Sequence, residues 1–172
     1  MNPPLSILIR PLTPADQPIL WDMLYLALFV PDGAPPLPRE IVQQPELARY
    51  VAGWGREHDM GFAALDEAGG LAIGAAWIRL LRATNRGYGY VDDETPELSI
   101  ALEPAWRGQG IGTALLAHLL QAAQPRYRAI SLSVAADNPA VRLYGRHGFE
   151  LAGARGDSLI LLKRLAGPSL ML

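Results

Sequence analysis

The sequence predicts an α/β (α+β) domain in which helices pack on one mixed sheet. Three observations point there. Short runs alternate apolar and small residues, most clearly Leu98/Ile100/Leu102 and Ile130/Leu132/Val134, and a period of two belongs to strands. Between those runs Ile111, Leu115, Leu116, Leu119 and Leu120 recur at helical spacing. The chain has 172 residues, of which half are hydrophobic and 19% charged. That composition is globular, and the length suits one domain, 1–172, with a sizeable core.

In chain order, Ile7 to Pro11 reads as a first strand. Thr13 reads as an N-cap and Pro14 as the first helical residue, with a helix running on to about Phe29. Pro31 to Pro38 holds Gly33 and four prolines and reads as a loop. A second helix is expected from Pro45 to about Gly53. Gly61–Asp66 and Leu71–Arg82 read as a hairpin joined through Glu67-Ala68-Gly69-Gly70. Arg86 to Pro96 is polar and rich in Gly and Tyr, hence a loop. The strand at Leu98–Leu102 follows, then the helix to Gln124 and the strand at Ile130–Val134. Asn138-Pro139 opens a short helix through His147, which Gly148-Phe149 ends. Ser158 to Leu165 reads as a final strand, giving an order of roughly βααββ-β-α-β-α-ββ.

Composition excludes several classes of function. The net charge of −2 lacks the basic stripe of a nucleic-acid binder. The absence of cysteine excludes disulfides, thiolate metal sites and a cysteine nucleophile, and fits a reducing cytoplasm. The opening Met1-Asn2-Pro3-Pro4 lacks the charged and apolar blocks of a targeting segment, and no apolar run approaches a membrane span. A single lysine, Lys163, among many arginines points to a GC-rich, bacterial source. No constellation of metal ligands is visible, with His58 and His147 lacking a partner and His118 inside a helix, so no metal is expected.

The stretch from Leu98 to Leu116 carries the functional argument. A strand ends, Arg107-Gly108-Gln109-Gly110-Ile111-Gly112-Thr113 follows, and a helix starts among the glycines. A helix N-terminus leaves backbone N–H groups unpaired and favours an anion. Glycines let phosphate oxygens approach the backbone without meeting a Cβ, and Arg107 adds a cation suited to bidentate phosphate contact. Other phosphate loops fit less well. A Walker loop requires Gly-Lys-Ser/Thr, and the third position of a G-x-G-x-x-G fingerprint falls on Thr113 or Leu115. On spacing alone a glycine-rich turn before a core helix, with Arg107 solvated, remains the alternative.

Arg107-Gly-Gln-Gly110-Ile-Gly112 resembles the Q/R-x-x-G-x-G/A motif of the GNAT superfamily of N-acetyltransferases. The likeness continues in Asn138-Pro-Ala-Val-Arg-Leu-Tyr144-Gly-Arg-His-Gly148-Phe149. This is similar to the family's N-x-x-A-x-x-x-Y-x-x-x-G-F pattern, with Val141 standing where the pattern has alanine. Two motifs in the right order, separated by one helix and one strand, are more specific than either alone. The close match covers about residues 95 to 150. It implies a mostly antiparallel sheet of six to seven strands flanked by about four helices, splayed between the fourth and fifth strands.

The resemblance also implies roles. Backbone amides from Arg107 to Thr113, including Gly108, Gln109, Gly110, Ile111 and Gly112, would grip the pyrophosphate of acetyl-CoA. The pantetheine arm would lie between Leu98–Leu102 and Ile130–Val134, with Ile100 and Leu102 as its contacts on the first strand. The Leu102 amide would polarise the thioester carbonyl. Tyr144 would protonate the leaving thiolate, or only pack on the pantetheine arm. Asn138 would bond the pantetheine amides or cap its own helix. Arg142 and Arg146 would reach the adenosine 3′-phosphate or stay solvated. Glu97 would serve as general base, directly or through water, or stand as an exposed strand-end carboxylate, with Glu103 the weaker alternative. A base is needed because an amine with a pKa of about 10.4 is neutral in about one molecule in 2,500 at pH 7, a handicap of about 4.6 kcal/mol.

The expected reaction is direct transfer of an acetyl group to a primary amine of a small molecule or peptide in a ternary complex. The motifs do not name the acceptor. Trp21 to Tyr50 and Arg86 to Glu97 would bind it, with Tyr25, Phe29, Tyr50, Trp54, Tyr88 and Tyr90 as candidate aromatic walls. Asp92-Asp93-Glu94 would attract a cation or simply be solvated. Homodimerisation stays open. Two other readings remain: a non-catalytic acyl-CoA-binding module of the same fold, and a glycine-rich nucleotide-binding domain unrelated to CoA.

Overall fold

A computed structural model describes residues 6–167; the Met1–Pro4 stretch read for a targeting signal lies outside them. Seven strands form one sheet. They are β1 (Ile7–Pro11), β2 (Met60–Asp66), β3 (Ala72–Arg79), β4 (Glu97–Leu102), β5 (Ala129–Ala135), β6 (Glu150–Arg155) and β7 (Ser158–Arg164). Their order is β1-β2-β3-β4-β5-β7-β6. All neighbours are antiparallel except β4 and β5, which run parallel and are bridged at the single pair Glu97–Ser131. The expected splay between the fourth and fifth strands is therefore present.

Four helices, α1 (Gln17–Ala27), α2 (Pro45–Ala48), α3 (Ile111–Ala123) and α4 (Ala140–Arg146), cover the sheet. The alternation in β4 and β5 divides their side chains between two cores. Leu98, Ile130, Leu132 and Val134 pack with Leu115, Leu116 and Leu119 of α3. Ala101 packs on the other face with Trp77, Tyr50, Val51 and the α1 residues Leu20, Met23 and Leu24. The period of two thus sends Glu97, Ser99, Ser131 and Ser133 to the α1 face. Among the described residues no helix is long and apolar enough to cross a membrane.

Several boundaries differ from the sequence reading, each for a local reason. A 3-10 turn, Pro14–Asp16, precedes α1. The Asp16 carboxylate accepts hydrogen bonds from the Thr13 N–H (2.7 Å) and hydroxyl (3.2 Å), and Arg10 grips it with two bonds of 2.8 Å. Thr13 is thus the N-cap of the entry turn, as the sequence suggests, and Asp16 three residues on closes the capping box by accepting from its backbone N–H. α1 stops at Ala27, where Leu28 turns to extended backbone. The second helix holds its α form only over Pro45–Ala48 and decays into turns before Gly53 and Gly55, both at positive φ. β3 ends at Arg79, whose buried guanidinium pairs with Asp59 at 2.8 Å and bonds the Arg49 and Ala52 carbonyls. That side chain ties the sheet to the turns after α2.

Candidate active site

The turn between β4 and α3 has the form expected of an anion cradle. Gly108 and Gly110 adopt φ of +75° and +83°, a left-handed backbone that only glycine takes without strain. Gly110 caps α3, and the first internal bond runs from the Ala114 N–H to the Gly110 carbonyl. The amides of Ile111, Gly112 and Thr113 consequently lack helical partners. A Cβ added at Gly108 or Gly110 would meet nothing within 4 Å, so the space above the turn is open. One at Gly112 would touch only Leu102 Cδ1 (3.6 Å) and Leu143 Cδ2 (3.7 Å). Arg107 is exposed and donates Nε–H to the Leu102 carbonyl at 3.3 Å, which holds the cation beside the turn. Gln109 bonds the Ala105 carbonyl.

The splay supplies a second set of free amides. The Glu103 N–H bonds the Ile73 carbonyl at 2.8 Å, and Leu102 faces Gly74 in the β3–β4 register. Because hydrogen-bonded pairs alternate along an antiparallel ladder, the N–H groups of Ile100 and Leu102 turn away from β3 and toward β5. There β5 has already diverged beyond the Glu97–Ser131 bridge, where the Ser131 N–H donates to the Pro96 carbonyl. A cavity of about 1020 Å³ occupies the gap. It runs from Arg107, Gly112 and Asn138 past β4 and β5 to Tyr25, Phe29 and Tyr50.

Tyr144 of α4 lines this cavity and is otherwise buried, its ring edge-on to Phe149 at 5.8 Å. Its hydroxyl bonds no described residue, yet it is not sealed off. Burial raises its pKa above the usual tyrosine value, so it keeps its proton at neutral pH. Asn138 Oδ1 accepts from the Ala140 N–H at 2.9 Å and so caps α4, while the residue also borders the cavity. Arg142 and Arg146 are exposed, outside the cavity wall and without an ion pair among the described residues.

Glu97 is no exposed strand-end carboxylate: only 2% of it is accessible. Oε1 accepts from the Tyr50 hydroxyl (2.9 Å) and the Gly89 N–H (2.8 Å), and Oε2 from the Gly87 N–H (2.9 Å). The Tyr88 N–H in turn donates to the Tyr50 oxygen at 2.7 Å. A Cβ at Gly87 would fall on the carboxylate, and one at Gly89 would sit 2.7 Å from the β5 backbone, so both glycines permit this close packing. Burial raises the Glu97 pKa, opposed by the bonds from Gly89, Tyr50 and Gly87 and by the charge of Arg155. Burial, then the Glu97 charge, raises that of Tyr50, which stays a donor.

Of the six candidate aromatic walls, Tyr25, Phe29, Tyr50 and Tyr88 line the cavity. Trp54 is instead buried against Arg79, and Tyr90 bonds Asp93. Glu103 is partly exposed and away from the cavity, and His118 is exposed with Nδ1 against the Ala114 carbonyl. No group of three metal-ligating side chains occurs among the described residues. The sequence reading did not single out Gly87 and Gly89 as the clamp on Glu97, nor Ser99 and Ser133 in the cavity wall. The serines had a signal in their alternation with Leu, Ile and Val; the clamp had none beyond two glycines in a polar loop.

The sequence pattern of the Acetyltransferase (GNAT) family matches residues 22–149. The fold is similar to PaiA N-acetyltransferase from Thermoplasma acidophilum, solved in complex with coenzyme A. The two share 18% identity over 93% of this chain and 99% of that one, with a TM-score of 0.65. YncA from Salmonella typhimurium, solved with its cofactor acetyl-CoA, shows 19% identity over 96% and 99%, with a TM-score of 0.62. An acetyltransferase of GNAT family from Streptococcus pneumoniae shows 20% identity over 93% and 100%, with a TM-score of 0.63. A comparison with curated proteins finds no match. Glycine-rich turn, splayed strands and matched pattern coincide on the same residues: the chain belongs to the GNAT acetyltransferase family.

Proposed function

We propose that the protein transfers the acetyl group of acetyl-CoA directly to a primary amine, with both bound at once. One observation carries this reading: a single cavity joins the unpaired amides of α3, the free amides of β4 and a buried carboxylate. The residues present fit the cofactor. The open turn at Gly108 to Thr113, with Arg107, suits a pyrophosphate, and the edge presented by Ile100 and Leu102 suits an extended amide-bearing arm. Acetyl-CoA supplies an activated acyl group and a thiolate leaving group.

The chain's own residues do the rest. The Leu102 N–H stabilises charge developing on the thioester oxygen. Glu97 takes the proton the amine gives up as its nitrogen bonds the acyl carbon, through a water or directly, and its raised pKa brings it nearer to neutral pH. Tyr144 donates its proton to the sulfur as the C–S bond breaks. A thiol has a reference pKa of about 8.5, and that of Tyr144 is raised well above it. Proton transfer from Tyr144 is therefore uphill even to the full thiolate, so it accompanies C–S cleavage and is completed when solvent returns a proton to the tyrosine.

Gly112→Val tests the cofactor half. Gly110 is the poorer site for that substitution, because its φ of +83° would strain any side chain. At Gly112 the new methyls enter the space between Leu102 and Leu143. CoA affinity by calorimetric titration should fall at least tenfold, about 1.4 kcal/mol, with the circular dichroism unchanged. A folded variant with wild-type affinity ends the phosphate-cradle reading. Release of CoA with a panel of amines separates the enzyme from a non-catalytic CoA-binding module. Displacement by ATP or NAD but not by CoA would identify an unrelated nucleotide site.

A further inference from the structure

The far end of the cavity carries information about the acceptor, on the reading of the site as an amine acetyltransferase. Its floor is the α1 face of the sheet, where Glu97, Ser99, Ser133 and Ser158 are the polar groups. Its opposite wall is apolar and partly aromatic, from Tyr25, Leu28, Phe29 and Leu37. Tyr25 is fixed as a flat surface: its hydroxyl donates to the Leu37 carbonyl at 2.6 Å, and Arg39 covers one ring face at 4.7 Å. Tyr88 stands at the mouth, half exposed.

Charge narrows the choice further. Among the described residues three charged side chains line the cavity: Glu97, Asp32 and Arg107. Arg107 belongs to the phosphate turn, so the acceptor end holds only acids, Glu97 in the floor and Asp32 on an exposed loop. The cation whose charge reaches Glu97 is Arg155, at the end of β6. It is exposed and lines no part of the cavity. An acceptor anion entering here would lose its water, find no partner and face two carboxylates. A primary ammonium meets the opposite situation at Glu97, with an apolar wall beyond it.

We infer that the acceptor is a primary amine on an apolar ring-bearing body with no anionic group, an arylalkylamine in chemical class. An amine joined to a ring by a short chain places its nitrogen at the polar floor and its ring against the fixed Tyr25 and Phe29 wall. An amino acid of the same skeleton brings a carboxylate to the end of the cavity where, among the described residues, no cation lines the wall and Arg39 lies behind the Tyr25 ring.

The matched pair 2-phenylethylamine and L-phenylalanine tests this, since the two differ only by the carboxylate. CoA release from acetyl-CoA by the full chain can be followed with a chromogenic disulfide, because the protein has no cysteine to react. kcat/KM for phenylethylamine should exceed that for phenylalanine at least 100-fold. Phe29→Ala and Tyr88→Ala should raise the phenylethylamine KM several-fold and leave the acetyl-CoA KM unchanged. Equal or faster turnover of phenylalanine overturns the inference, most directly if Arg155→Ala then abolishes it. Turnover confined to peptides or to polycationic amines also overturns it and leaves acetyl transfer intact. If no amine releases CoA, acetyl transfer itself fails, and titration of the same pair into CoA-saturated protein decides the inference. Phenylethylamine binding tenfold tighter supports it, and any other result overturns it.

Discussion

Two side chains divide the proton traffic in the proposed reaction, and each is open to a conservative change. Tyr144→Phe keeps the edge-on contact with Phe149 and removes only the hydroxyl that faces the cavity. Turnover should drop about 100-fold, the lower scale of a general-acid role, with little change in CoA affinity. A rate near that of wild type would reduce Tyr144 to packing. Glu97→Gln needs more care, because both carboxylate oxygens accept N–H donors. An NH₂ in either place opposes one of those amides, so some loosening of the Gly87–Gly89 loop accompanies loss of the base. The pH profile separates the two effects. Wild-type turnover at saturating substrates should rise with pH through an apparent pKa above the ordinary carboxylate range and below that of the free amine. In the variant that limb should move to the amine's own pKa, with activity partly recovered at high pH. A variant that keeps the wild-type limb and rate removes Glu97 from the mechanism.

At the scale of elements, Asp16 shows how a local charge sets a boundary. Its bond with Arg10 is the main cause holding its pKa at about 2, against an ordinary 3.8. A depressed carboxyl contributes stability that is fully present above its unfolded value and lost as pH falls through the folded one. With Arg10 one-third exposed, the contribution is about 1–2 kcal/mol after allowance for solvent screening. Asp16→Asn should lower the unfolding free energy by that amount at pH 7. Urea denaturation curves of the two proteins should converge as pH drops from about 4 toward 2. Elements whose pattern is local are legible in the sequence. β4, α3 and β5 are read from their own periodicity, and the glycine-rich turn from six consecutive residues. β6 is legible only as the first of two final strands, without bounds, because all its residues but Gly153 are exposed and present no alternation. α2 starts at Pro45 as the sequence predicts, but its early end is not legible, because the turns that end it depend on Gly53 and Gly55 and on Arg79 reaching back from β3. The same holds inside the site. The sequence singles out Glu97 by its place just before the alternating residues Leu98–Leu102, but its burial comes from Tyr50, Gly87 and Gly89, which meet only once the sheet is assembled.

Across the whole molecule, the sheet consists of two antiparallel parts, β1–β4 and β5–β7, joined edge to edge by one bridging pair. The α3 helix spans the join, with Leu115 and Leu116 in a core shared with Ile78 on one side and Ile130 on the other. A ligand lying in the splay would complete the missing ladder and link the two parts a second time. Ligand linkage gives this a magnitude: CoA at 100 times its Kd stabilises the native state by about 2.7 kcal/mol, which for a chain of this size raises Tm by about 5–11 °C. The distribution of that stabilisation is the sharper prediction. Amide hydrogen exchange should slow on CoA binding at Ile111 to Thr113, and also at Ile100 and Leu102, whose N–H groups point into the gap. Leu98 and Ser131, already engaged at the bridge, should change little. Protection at the helix N-terminus with unchanged exchange at Ile100 and Leu102 would mean that the phosphates dock while the arm lies elsewhere. The Leu102 amide would then play no part in acyl transfer.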